Sequence, residues 1–215
     1  MAGYNEELIH ASVDNLQNAY NSLYTTMSSS MQTRFIDEMG TGWACQDAVD
    51  FFATSTESLN QLLASITYNY NDAVEKIEAA GKRWAEKTGG SYTPRGFSGQ
   101  NGKVNSSSIH ENIGGERGAD TNILDQAIVE LGKLQGEADS ALVDSVTAVQ
   151  TCGFSDDEGA QQVAVTQSLT KLKSDVNELI SGISQTINEK VRATVENYGA
   201  IVAANASQFS SIGQG

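Results

Sequence analysis

Residues 89–118 read GGSYTPRGFSGQNGKVNSSSIHENIGGERG. Glycine and serine dominate, the chain's single proline stands at Pro94, and no hydrophobic period is sustained, so the stretch reads as a connector rather than a helix or strand. What it connects, and how far it must travel to do so, decides the fold.

Both flanks carry helical periodicity. On the N-terminal side Ile9, Val13, Leu16, Tyr20, Leu23 and Met27 step alternately by four and three, which places them on one helix face. Asn5 is positioned to cap this first helix, and Glu6 and Glu7 suit the positive end of its dipole. The pattern continues past Met31 and Phe35 to Gly40. A glycine turn follows, and a second stripe runs Val49, Phe52, Thr56, Leu59, Leu63, Ile66, Tyr70, Ala73, Ile77, Ala80, Trp84. Only Thr56 is polar in this heptad seam of about five repeats, which favours packing against other helices at a shallow angle. The second helix stops near Lys87.

Beyond the connector the pattern restarts. Leu124, Ala127, Leu131, Leu134, Ala138, Leu142, Val146 and Val149 predict a third helix, and the chain turns at Cys152-Gly153-Phe154. Ser155 and Glu158 have the spacing of a capping box for a fourth helix. Its stripe runs Leu169, Leu172, Val176, Leu179, Ile183, Ile187, Val191, Tyr198, Val202, and residues 207–215 read as a polar, fraying tail. The expected organisation is a first hairpin over 1–88, a linker over 89–118, a second hairpin over 119–206 and the tail.

The length of the connector selects the arrangement of the hairpins. With both turns at one pole, the second helix would end beside the start of the third and a few residues would join them. With the turns at opposite poles the connector must run the length of the bundle, about 60 Å for some 40 helical residues, and 30 residues reach up to roughly 100 Å. The expectation is therefore all-α: a four-helix bundle of two antiparallel helix-turn-helix hairpins, with Cys45 and Cys152 held too far apart to bridge.

Composition narrows the function. The net charge of −14 has no basic stripe in it, which argues against a nucleic-acid partner. Acids outnumber bases 12 to 5 over residues 1–90 and 13 to 5 over 119–215, so two like-charged bodies must be joined by apolar burial. The N-terminus shows neither a basic nor an apolar signal region, and no apolar run approaches the roughly 20 residues of a membrane span. Synthesis in the cytoplasm, with any export by a signal-peptide-independent route, is expected. The cysteines and the histidines His10 and His110 lack metal-ligand spacing, and no set of acids and histidines suggests catalysis. No cofactor, metal or catalytic residue is expected.

The two hairpins repeat one pattern: laying Gly42-Trp43 over Gly153-Phe154 also aligns Asp47 with Glu158. On a purely structural reading, Trp43 and Phe154 fold back as plugs on the hairpin ends. The architecture also resembles the WXG-motif (early secreted antigen-like) family of type VII, or ESX, secretion substrates, as a tandem fusion. Here the motif stands as Trp43-Ala44-Cys45 and Phe154-Ser155-Asp156, with the motif glycine replaced in both. Family members pair as antiparallel hairpins, so the resemblance implies a covalently fused pair, self-sufficient as a monomer. The partners implied are the type VII machinery or a co-secreted protein. Gly42, Trp43, Gly153 and Phe154 become candidate binding residues. The family's export signal, Tyr-x-x-x-Asp/Glu, is matched in letters by Tyr68 and Asp72 in mid-helix, whereas Tyr198 has Val202 at the acid position. An intracellular helical adaptor or chaperone, or a structural coiled-coil protein, would account for the same heptads and charge.

Overall fold

The computed structural model describes residues 4–154 and 159–212, with side chains to residue 154 and from 162 to 205. The chain is an all-α four-helix bundle with one very small sheet. The capping box expected at Ser155 to Glu158 lies outside the described residues.

The first rod opens with α1 (Glu6–Thr25), capped where Leu8 N donates to Asn5 Oδ1 at 3.2 Å. It then widens into two π turns, Thr26–Ser30 and Gln32–Ile36, and closes as α2 (Asp37–Gly42), two residues beyond the expected end at Gly40. The π turns have a packing consequence: Thr26, Met27 and Ser28, and then Phe35 and Ile36, are buried in succession, more than one face of a 3.6-residue helix presents. Hydroxyl donation from Ser29 to Thr25 O and from Thr33 to Ser29 O competes for the carbonyls of these turns. Helix α3 (Gln46–Thr88) ends at the left-handed Gly89 (φ 75°), and α4 (Thr121–Gln150) starts from Asp120, whose carboxylate accepts from Asn122 N and Ile123 N. Helix α5 (Gly159–Ile212) is continuous for 54 residues and runs through the position expected to begin the fraying tail.

The two turns sit at opposite poles. At the first, the two-residue strand β1 (Trp43–Ala44) pairs antiparallel with β2 (Gly118–Ala119), and Asp120 N donates to Gly42 O at 2.7 Å, pinning the turn to the start of α4. At the second, Asn5 N donates to Gly153 O at 3.3 Å and Tyr4 bridges Phe154, pinning that turn to the start of α1. Cys45 and Cys152 are free and lie at these separate poles.

Between the poles the connector lies as an ordered strap along the first hairpin. It keeps step with the first rod: Thr93 O accepts from His10, Ser98 exchanges two hydrogen bonds with Gln17, Gly102 O accepts from Tyr24, and Asn105 N donates to Gln32. Across the groove, Asn60 on α3 makes a two-way pair with the backbone of Val104 at 2.9 and 3.0 Å. The buried Glu78 accepts from the backbone N–H of Arg95 and Gly96. Gly81 leaves room for the Tyr92 ring, where an added Cβ would come within 3.1 Å. Val104 and Ile109 are buried, and Phe97 meets the edge of Tyr20 at 4.7 Å, so the strap contributes apolar cover to the core.

The core follows the expected seams. α1 packs on α3 and α4, and α5 on α3 and α4, closing a ring of four. The α1 stripe from Ile9 to Met27 is fully buried. Two buried polar ties join the hairpins: Ser12 Oγ donates to Ala148 O at 2.6 Å, and Tyr70 meets Ser145 Oγ at 2.5 Å. Because Ser145 donates its own proton to Ala141 O, the tyrosine hydroxyl is the donor in the second tie. Burial pushes the Tyr70 phenol up to about 12.

Candidate functional site

The residues singled out in the sequence occupy three separate places. Trp43 is sealed from solvent between Phe51 and Phe52, with ring centroids 5.9 and 6.2 Å away. Its indole Nε1 is buried without a hydrogen-bond partner, a cost that the aromatic burial has to exceed. Gly42 precedes it because no side chain fits: a Cβ there would lie 2.5 Å from Ile123. This is the geometry of an end plug, and the indole offers no surface to a partner while the turn is closed.

At the other pole Gly153 adopts a left-handed φ of 77°, a conformation that favours glycine, and a Cβ there would meet Leu8 Cβ at 2.8 Å. Phe154 is half-buried at the core's edge. Tyr4, its bridge partner, stacks on Trp84 at 6.3 Å. Trp43 and Phe154 therefore share a pattern in the sequence but no site in the fold.

Tyr68 and Asp72 share the outward face of α3, with Tyr68 71% exposed and Asp72 ion-paired to Lys76 at 2.7 Å. The exposed tyrosine is available to a partner; the carboxylate is already engaged.

Two features went unread in the sequence. Arg34, on the second π turn, forks between Glu130 and Glu137 on α4 at 2.9 and 2.8 Å, and Lys133 with Arg34 holds the Glu130 carboxyl below its ordinary range. Arg34, Glu130 and Lys133 line a surface cleft with Ile123 and Val129. The other feature is the end of α5. Tyr198, Ile201 and Val202 stand 36%, 54% and 67% exposed beyond the start of α4. The readable signal was one of length, since the α5 stripe, Leu169 to Val202, runs longer than the α4 stripe, Leu124 to Val149, with which it forms the second hairpin.

Among the described residues, no group of three His, Cys, Asp or Glu is placed to hold a metal ion. No described helix is long and apolar enough to cross a membrane. No family model matches the chain, and neither a curated protein nor a solved structure matches it.

Proposed function

We propose that this chain is a non-enzymatic protein-interaction module: a fused pair of WXG-like hairpins that is exported by, or escorts cargo through, a type VII (ESX-like) secretion system. The observation that supports the reading is the head-to-tail packing of two hairpins around one core, with turns at opposite poles. That is the pairing which the family resemblance implies for separate chains, here enforced by a covalent strap. The chain would be made in the cytoplasm and reach the cell surface or medium without a cleaved signal. The closed bundle hides Trp43, so recognition falls to exposed features such as Tyr68 or to opening of the first turn.

The test is fractionation of a producing culture with and without the type VII ATPase. ATPase-dependent appearance of the chain outside the cell is the expected result. Strict retention in both cultures overturns the export reading and favours an intracellular adaptor.

A further inference from the structure

Helix α5 outruns the bundle. From Val165 to Val191 its inward positions are buried, and Leu124 and Ile128, in the first turns of α4, line a 230 Å3 cleft with Ile187, Val191 and Val195. At that point α4 begins, so its cover ends. The same stripe continues on α5 through Tyr198 and Val202, flanked by Ile201, on roughly 25 Å of further helix. An isolated helix of this length is marginal in water, and an apolar stripe on it calls for a packing partner.

Charge says which partner. The chain carries −14 overall, yet residues 197–215 contain no Asp, Glu, Lys or Arg. A basic helix would find no acids to pair with along this segment. A second copy lays the same uncharged segment against this one, with Asp125, Arg192 and Glu196 of the cleft at the margin of the contact, and tail-to-tail packing keeps the two acidic bodies outward, beyond the ~10 Å screening length. Gly199, Ala200 and Ala203 leave the helix slim enough for close approach.

We propose that the α5 overhang pairs antiparallel with the same segment of a second copy, so that Val195, Tyr198 and Val202 of each chain continue the α4–α5 seam across a two-fold axis. Each overhang then lies toward its partner's cleft at Leu124 and Ile128, and the interface is isologous and closed. Two helices of this length make a contact at the small end of specific interfaces, so the dimer forms with a dissociation constant of ~10–100 µM. The inference is independent of any export role.

Sedimentation velocity on the full chain, from about 1 to 300 µM at low and high salt, tests it. The expected result is a mass rising from 22.9 kDa toward twice that value, and rising further in high salt, which screens the bodies' repulsion. Val202→Asp is expected to weaken association at least tenfold with an unchanged thermal melt by circular dichroism, because the position lies outside the bundle. A wild-type chain still monomeric at the highest concentration overturns the proposal. So does a dimer that survives Val202→Asp, or one that dissociates as salt rises.

Discussion

Trp43 at the first turn is sealed from water, whereas Phe154, its counterpart in the repeat, is half-buried at the rim. The first pole is closed by aromatic packing and a strand pair; the half of the bundle nearer the second is tied by buried hydrogen bonds, Ser12 to Ala148 and Tyr70 to Ser145. A repeat in sequence pattern thus became two different physical solutions. An apolar plug is insensitive to pH, whereas a buried phenol is not.

The largest expected effect breaks the plug. Trp43→Ala removes a fully buried indole and leaves a cavity beside Phe51 and Phe52, at about 3–5 kcal/mol by denaturant unfolding. A loss below about 1 kcal/mol would mean that the turn is not closed in solution.

The alkaline limb sharpens the other side. The Tyr70 phenol titrates near 10 unfolded and about 12 folded, so its contribution is fully present below pH 10 and is lost as pH rises through about 12. The loss is up to about 3 kcal/mol. Stability curves at pH 9 to 12 should steepen downward for the wild type and less so for Tyr70→Phe, which keeps the ring and removes the titrating proton.

The glycines at the turns should behave differently in a double-mutant cycle. Gly42→Ala forces a Cβ against Ile123, a side-chain clash of about 1–3 kcal/mol, part of which Ile123→Ala recovers. Gly153→Ala places an L side chain at φ 77° and against Leu8 Cβ, and shortening Leu8 leaves the backbone strain in place at about 1–2 kcal/mol. Equal rescue at both positions would erase the distinction between a packing glycine and a conformational one.

These contrasts mark what the sequence made readable. The seams were legible because Ile9 to Met27 and Leu124 to Val149 keep strict spacing, and the opposite poles because a 30-residue connector has a length that geometry can use. The π turns were not, since adjacent apolar residues such as Phe35 and Ile36 look the same in a helix of either pitch. The strap's order depends on Gln17, Tyr20 and Asn60, whose partners lie more than forty residues away and follow no period. The position of Trp43 at a turn was readable, but its complete enclosure was not, because enclosure depends on where Phe51, Phe52 and the start of α4 converge. The free end of α5 escaped for a similar reason: a stripe records that a face is apolar and says nothing of what covers it.

The smallest effect is expected at the second plug. Phe154 is only half-buried, and its neighbour Tyr4 has a separate hold on Trp84 by stacking, so truncating the ring leaves that pole still tied by Asn5 N to Gly153 O and by Ser12 to Ala148 O. Phe154→Ala should therefore cost about 1 kcal/mol, near the centre of the range for single substitutions and several-fold less than Trp43→Ala. Parallel urea titrations of the two variants compare them directly. Matching losses would mean that both turns are plugged alike and that hydrogen bonding adds little to the hold at the second pole.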